Sequence, residues 1–232
     1  MSVVISDPAR RRLLGRALSL STAVAPFGLA FGVLCTEVGL HPLTAVGFSV
    51  LVFTGSAQFA AVVVLGSGGT LAAAVIAGLL LNVRCLAFGL VMAPVLPRSL
   101  ARRALASQLM IDESMAVGTS VDEPELRWFG YLAGGLGVFV AWNASTVAGA
   151  LLVPGTGTFV TDLGVDATIP AAFLALVWPR LADRTQRRIA LLGGLIALAL
   201  VPLLPPGLPI ISSAAAVPIV LWTLRRSGAP TP

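Results

Sequence analysis

Two long apolar stretches of the chain each carry polar residues close to their centre. The first, Leu43 to Gly66, is interrupted by Thr-Gly-Ser-Ala-Gln-Phe at 54–59, and the second, Leu71 to Leu96, by Asn82 and Arg84. Roughly 20 apolar residues, at about 1.5 Å each, cross the hydrocarbon of a bilayer, so Arg84 lies far from both interfaces. Because a guanidinium there costs about 2.5 to 3.5 kcal/mol, the pattern predicts that Arg84 faces a polar interior and has a partner.

Further apolar runs of helical length occur along the chain. They cover Ala17 to Leu40, Trp128 to Val153, Val165 to Pro179, Ile189 to Leu204 and Leu208 to Leu224. Whole segments lack charge on every face, which is typical of membrane helices and not of the amphipathic helices of soluble proteins. The sequence therefore predicts an all-α fold, a polytopic transmembrane helical bundle with six or seven membrane segments, some of them broken or re-entrant.

The run that begins at Ala17 contains Pro26 near its middle. Proline removes a backbone donor and clashes with the preceding turn, so we expect the helix to kink or break there. Gly28 and Gly32 follow at the GxxxG spacing that lets a second helix approach closely. Since broken helices near the midplane expose backbone groups to the substrate in many transporters, Pro26 and Gly28 are also candidate site residues.

The composition agrees with a membrane protein. Hydrophobic residues make up 57% of the chain, charged residues 11%, and the mean hydropathy is +0.96. No run shows the alternating polarity over about ten residues that is typical of an outer-membrane barrel. We expect one transmembrane domain at 17–224, a cytoplasmic basic N-terminus at 1–16 and a short basic tail at 225–232.

All fifteen basic residues are arginines, and most of them lie in clusters. The clusters are Arg10, Arg11, Arg12 and Arg16; Arg98, Arg102 and Arg103; Arg180, Arg184, Arg187 and Arg188; and Arg225 and Arg226. Each cluster flanks an apolar run, as the positive-inside rule describes for cytoplasmic loops, so the net charge of +5 indicates topology and not nucleic-acid binding. Three apolar runs separate the first two clusters and two runs separate the later ones, which leaves the orientation of the N-terminus open.

Few residues are suited to catalysis or metal binding. Cys35 and Cys85 lie inside apolar runs, and the single histidine, His41, lies in a Gly-Leu-His-Pro break. One histidine without a Cys/His cluster cannot hold a metal. The residues that would form a catalytic nucleophile with its general base are also missing. We therefore expect no metal, no cofactor and no enzymatic activity.

An arginine, two amides and a glycine-rich interruption suit the binding of a small zwitterion or anion. Arg84 matches a carboxylate with two parallel hydrogen bonds, and Asn82 and Gln58 offer both donors and acceptors. The N–H groups freed where a helix is broken favour a carboxylate by their dipole, and Gly55 and Ser56 belong to the polar interruption. Alternatively, Arg84 only locks the bundle by pairing with an acidic residue. The candidate partners are Asp112, Glu113 and Glu37.

A less apolar stretch at 104–118 contains the acidic pair Asp112 and Glu113. Three alternatives remain open for this stretch. It is a cytoplasmic amphipathic helix, a solvated acidic segment, or a half-inserted segment whose acidic residues reach the core. In the last case a carboxyl group partly withdrawn from water can load and release a proton, which makes the pair the candidate coupling or gating element. Later segments add three possible site residues, Asn143, Thr146 and Asp166.

The interruption of the first stretch resembles a known motif. Residues 51–59, Leu-Val-Phe-Thr-Gly-Ser-Ala-Gln-Phe, are similar to the (V/A)-F-x-G-A-S-Q-F segment of the AzlC/YgaZ family, the large subunit of branched-chain amino acid exporters. Three further stretches resemble the family in the same order. They are Asn82-Val83-Arg84 with Met92-Ala93-Pro94, Asp112-Glu113-Ser114, and Gly164-Val165-Asp166.

The resemblance implies a multi-pass permease of the cytoplasmic membrane that exports branched-chain or related apolar amino acids, driven by the proton-motive force. It also implies a second, small membrane subunit of the AzlD type. Ser56-Ala57, Cys85 and Ile111 depart from the Ala-Ser, His and Thr that are usual in the family, which leaves the substrate open. The alternatives are a permease of the same architecture for another small organic or inorganic anion, and a non-transporting membrane scaffold.

Overall fold

The computed structural model describes residues 8–152, 174, 178–204 and 208–226. In these ranges every regular element is a helix, which confirms the all-α fold class. The first helices are α1 (Pro8–Glu37), α2 (Pro42–Leu51), α3 (Gly55–Gly66), α4 (Leu71–Asn82), α5 (Arg84–Met92), α6 (Leu100–Ser107), α7 (Asp112–Gly118) and α8 (Pro124–Leu152). A 3-10 helix, Trp178–Ala182, then precedes α9 (Arg184–Leu200), α10 (Leu208–Ser213) and α11 (Ala216–Arg226).

Three helical stretches of the described residues are long and apolar enough to cross a membrane. They are Pro8–Glu37, Leu71–Met92 and Pro124–Leu151. The second combines α4 and α5, and only 11% of its most apolar window is buried inside the protein. Large apolar side chains of this stretch, such as Val75, Leu79 and Val91, are exposed. Continuous apolar surface of this kind is typical of a membrane-facing helix, in agreement with the predicted class of protein.

The apolar run at 43–66 forms two short helices instead of one long one. α2 ends at Leu51 and α3 begins at Gly55, and residues 52–54 between them are not helical. The run at 71–96 contains a smaller interruption, since only Val83 separates α4 from α5. Both interruptions coincide with the polar residues at the centres of the two runs, so the prediction of broken segments is confirmed for both.

The proline predicts a kink or a break in the first run, and the structure shows no break at Pro26. α1 continues from Pro8 to Glu37 with Pro26 inside it, exposed on its surface. A proline removes only one backbone hydrogen bond of the helix, and α1 packs along α8 on both sides of this position. The packing between the two helices therefore outweighs the local cost of the proline.

The chain divides into two compact units. They are Met1–Phe59 with Leu81–Gly157, and Ala60–Leu80 with Thr158–Pro232. In the second unit α9 packs against α10 and α11. Asp183 caps the start of α9, because its Oδ1 accepts a hydrogen bond from the backbone nitrogen of Gln186 at 2.8 Å. Asp166 and most of the predicted run at 165–179 lie outside the described residues.

In the first unit α8 is the central helix, and α1, α2 and α7 all pack against it. A Cβ atom on Gly28 would overlap with Ser145 of α8, and one on Gly32 would overlap with the backbone of Thr146. Only glycine permits this approach of two helix backbones. The GxxxG pair therefore forms the close helix contact that its spacing predicts.

Candidate functional site

Residues 52–54 interrupt the helical hydrogen bonds between α2 and α3. The last carbonyl groups of α2 therefore need donors from elsewhere. Gln58, at the end of the first turn of α3, has no measurable exposure, and its Nε2 donates to the carbonyl oxygens of Phe48 and Ser49 at 3.3 Å each. Its Oε1 is buried and has no hydrogen-bond partner among the described residues. Gln58 thus stabilises the break and keeps one acceptor unused.

Gln108 supplies the remaining donors at this break. It follows α6, and its Nε2 donates to the carbonyl oxygens of Val50 at 2.8 Å and of Leu51 at 3.2 Å. Nothing in the local sequence marks Gln108 as a site residue, because its partners are backbone atoms 58 and 57 positions away. The available signal is weak: Gln108 is a polar residue directly before the apolar residues 109–111.

Three helix starts meet at the side chain of Arg84. Arg84 is the first residue of α5, Ser56 is the second residue of α3, and Asp112 is the first residue of α7. Arg84 Nη2 lies 2.8 Å from Asp112 Oδ2 and donates to Ser56 Oγ at 2.8 Å. Asp112 is therefore an acidic partner of Arg84, and this contact agrees with the alternative in which the acids of the 104–118 stretch reach the polar core.

The ion pair uses only one of the guanidinium nitrogens. Nη2 makes both contacts, and the buried Nε has no hydrogen-bond partner among the described residues. A buried donor without an acceptor costs about 1 to 3 kcal/mol. A carboxylate that approached from the Nε side would remove this cost and form the parallel bonds that arginine favours. The arrangement can thus bind a second carboxylate, either beside Asp112 or in its place.

Asn82 connects the two interruptions. It is the last residue of α4, and its Oδ1 accepts a hydrogen bond of 2.9 Å from Thr54 Oγ1, directly before α3. Its Nδ2 makes no hydrogen bond with another described residue, so its two N–H groups remain available to a ligand. The structure therefore brings together four of the predicted residues, Asn82, Arg84, Ser56 and Asp112.

A second polar group joins α2 to α8. Ser49 Oγ donates to Asn143 Oδ1 at 2.7 Å and lies 3.3 Å from Thr146 Oγ1. Ser49 and Thr146 have no measurable exposure. Since the Ser49 carbonyl also accepts a bond from Gln58, the predicted residues Asn143 and Thr146 connect to Gln58 through Ser49. Ser49 itself was not predicted, because a serine in an apolar helix usually bonds its own backbone.

An aromatic group packs against the start of α3. The Trp142 ring lies near Phe31 and Phe59, with centroids 6.1 and 6.2 Å apart. A Cβ atom on Gly55 would lie 2.8 Å from Cη2 of Trp142, so the helix start approaches the ring because residue 55 is glycine. The buried Trp142 Nε1 has no hydrogen-bond partner among the described residues. Gly55 is thus required for packing beside the site.

The remaining predicted residues lie elsewhere or outside the described ranges. Pro26 is exposed on the surface of α1. Gly28 lies in the contact between α1 and α8. Glu113 follows Asp112 in the first turn of α7 and is partly buried. Asp166 is not among the described residues.

Comparison with known proteins identifies the chain at the level of the family. The family model described as AzlC protein matches residues 19–154, which is more than half of the chain and includes Arg84 and Asp112. An "Uncharacterized membrane protein" of Archaeoglobus fulgidus is 29% identical over 214 residues, which cover 90% of this chain and 93% of that protein. No solved structure matches the chain. The chain belongs to the AzlC family and is a membrane protein, consistent with a transporter.

Proposed function

We infer that the protein is a multi-pass permease of the cytoplasmic membrane that exports branched-chain or related apolar amino acids. It acts as the large subunit of a two-component exporter, together with a small membrane subunit of the AzlD type. Membership of the AzlC family supports transport in general. The polar residues around Arg84 support a small substrate that carries a carboxylate. The proposed cycle needs no cofactor.

The observation behind this proposal is the ion pair between Arg84 and Asp112, formed near the middle of the apolar stretch Leu71–Met92. An ion pair that only locks a bundle is most effective with two parallel hydrogen bonds between the guanidinium and the carboxylate. This pair leaves Nε of Arg84 unused, and its side chains are 30% and 34% exposed. Such a pair can open when a competing carboxylate arrives.

In the proposed cycle Asp112 and the substrate carboxylate compete for Arg84. The substrate carboxylate displaces Asp112 from the guanidinium when the substrate binds. When the substrate leaves, Asp112 pairs with Arg84 again, so the guanidinium has a carboxylate partner in both states. Gln58 Oε1, a buried acceptor without a partner in the described chain, is available to the ammonium group. Glu113 completes the coupling or gating element.

Short interruptions of the helices allow the site to change shape in this cycle. Residues 52–54, Val83 and 108–111 directly precede the three helices that contain Ser56, Arg84 and Asp112. Small changes of backbone angle at these positions reorient the helix starts without breaking the long helices α1 and α8. Broken helices at mid-depth serve this purpose in many transporters.

The proposed small subunit requires an apolar surface on this chain. On α9, Leu191, Leu195 and Leu198 are exposed and lie at helical spacing, so they form one stripe. We assign this stripe to the AzlD-type partner, since helix packing within the membrane needs a face that is not already used inside the chain.

Efflux of valine and leucine from dipeptide-fed cells that express both subunits tests the proposal. Arg84→Ala should abolish efflux, and Arg84→Lys should lose most of it, because lysine cannot form parallel bonds to a carboxylate. Arg127→Ala is the matched control, since the contacts of its side chain are to nearby residues of the chain: Nη2 approaches the fully exposed Asp122 at 3.9 Å, and Nε donates to the Val121 carbonyl at 3.5 Å. Normal efflux from an Arg84→Ala protein that is inserted at the wild-type level would disprove the site.

Transport of another small anion is a second candidate function, and one observation favours it. Among the described residues that line a cavity beside the break between α2 and α3, Arg103 carries a charge and none is acidic. The wall therefore attracts anions in general. An efflux panel with amino acids, organic anions and inorganic anions distinguishes the two candidates.

A further inference from the structure

The cavity beside the break between α2 and α3 has a volume of about 560 Å³. Sites for small molecules typically have volumes of roughly 300 to 1,000 Å³. The wall has a polar part and a larger apolar part. The polar part includes Thr54, Asn82 and Cys85 together with Arg103, Ser107 and Gln108, and the apolar part includes Phe53, Leu86 and Leu90. A molecule with a polar end and an apolar body fits this distribution.

The polar part of the cavity adjoins the ion pair. Asn82 and Cys85, which line the cavity, lie on either side of Arg84 in the chain. The Cys85 thiol donates to the carbonyl oxygen of Met110 at 3.7 Å, two residues before Asp112. The unused N–H groups of Asn82 are donors for a carboxylate at this end. A ligand in the cavity would therefore place its acidic end next to the groups assigned to the proposed cycle.

Gly89 determines how much space the apolar part offers. It follows Cys85 by about one helical turn on α5, so the two residues share the face that lines the cavity. A Cβ atom on Gly89 would have Met110 Sδ as its nearest neighbour, at an ordinary contact distance of 3.9 Å. A longer side chain would therefore extend into the cavity without displacing the backbone.

We propose that this cavity holds the apolar side chain of the transported amino acid and that Gly89 sets the largest side chain accepted. The proposal rests on the proposed transport function and adds a specificity-determining residue to it. Asn82 binds the carboxylate end, and the wall formed by Leu86, Gly89 and Leu90 contacts the side chain. A side chain at position 89 removes volume beside Leu86 and Leu90, so its effect depends on the size of the substrate.

A size series of substrates tests this proposal in vesicles that contain both subunits. Gly89→Leu should reduce transport of leucine and phenylalanine at least about tenfold and that of alanine less than about threefold. Gly89→Ala should lower phenylalanine transport more than leucine transport. Gly47→Leu on α2 is the matched control, because a Cβ atom there has nothing within 4 Å and Gly47 does not line the cavity. An unchanged size profile in Gly89→Leu, or an equal loss for every substrate, would overturn the proposal.

Labelling of Cys85 tests the cavity without transport. The chain contains two cysteines, and Cys35 is fully buried, so a Cys35→Ala background leaves Cys85 as the one thiol. We expect leucine to slow the reaction of Cys85 with a maleimide severalfold in this background, and to have no effect when Gly89→Leu is added. Labelling that leucine does not slow would refute the cavity even if efflux is normal. Protection by leucine in a protein without any efflux would instead refute the transport function and support the cavity.

Discussion

Gln108 Nε2 donates a 2.8 Å hydrogen bond to the carbonyl oxygen of Val50. This bond joins the turn between α6 and α7 to the break between α2 and α3. The two joined segments continue into Asp112 and Ser56, the two residues that contact Arg84. The position of the ion pair therefore depends on an amide that takes no part in it.

Replacing Gln108 tests this dependence. Gln108→Leu removes the donor of two carbonyl groups, so we expect the free energy of unfolding to fall by about 1 to 2 kcal/mol. Thermal unfolding of the purified protein in detergent measures the change. Ser107→Ala is the control, because the Ser107 hydroxyl only bonds the Arg103 carbonyl within α6. Equal melting temperatures of Gln108→Leu and the wild type would show that this bond contributes no stability.

The ion pair between Arg84 and Asp112 should separate stability from transport. Arg84→Gln and Asp112→Asn each leave one charge without its partner in an apolar segment, and each should destabilise the protein. The double variant removes both charges, so it should recover stability to within about 1 kcal/mol of the wild type. It should not recover efflux, because the proposed exchange needs both charges.

Unfolding midpoints and efflux of the four proteins form a double-mutant cycle for this pair. Additive losses of stability would contradict the direct interaction seen at 2.8 Å. Efflux by the neutral double variant would contradict the exchange at Arg84.

Part of this site follows from the sequence. A central arginine in an apolar run requires a partner, and Asp112 was one of three acidic candidates for it. The residue types alone could not choose among the three, because the choice depends on how far α7 inserts beside α5. Gln108 and Ser49 were not predicted for a related reason. Their bonds reach residues 58 and 94 positions away, and no local pattern encodes such contacts.

The behaviour of α1 shows the same limit for the fold. Proline predicts an interruption from local geometry, and Pro26 lies inside a continuous helix. Gly28 and Gly32, two and six residues later, form the close contact with α8 that their spacing predicts. Local propensity is a weak guide where a long helix packs tightly, whereas the spacing of small residues directly describes the surface that packs.

The contact between α1 and α8 should not tolerate a side chain at Gly32. A Cβ atom there would overlap with the Thr146 carbonyl oxygen and lie 2.8 Å from the nitrogen of Ala150, both backbone atoms that cannot move away alone. We expect Gly32→Ala to lower the free energy of unfolding by about 1 to 3 kcal/mol or more. The amount of inserted protein and its melting temperature report the loss.

Gly15→Ala provides the comparison on the same helix. A Cβ atom on Gly15 has nothing within 4 Å, so this exchange should be neutral or stabilising by up to about 1 kcal/mol through helix propensity. If the two variants behaved alike, the close contact between α1 and α8 would not contribute to stability.

Gly55 should be coupled to Trp142 in the same way, with an effect on the site. A Cβ atom on Gly55 would lie 2.8 Å from Cη2 of the Trp142 ring, which is packed beside Phe31 and Phe59. Because the ring has little room to move, Gly55→Ala should shift the start of α3. Ser56 would then lose its hydrogen bond from Arg84. We expect lower stability and lower efflux together.

The exchange Trp142→Phe removes the part of the ring that Gly55→Ala would strike. The double variant should therefore be more stable than the sum of the two single losses predicts, and it should regain part of the efflux. Trp128→Phe is the control, since Trp128 stacks on Tyr131. It is not among the nearest neighbours that a Cβ atom on Gly55 would meet. Unfolding and efflux of each combination measure the coupling. Losses that add to within about 0.5 kcal/mol would show that the ring does not restrict the start of α3.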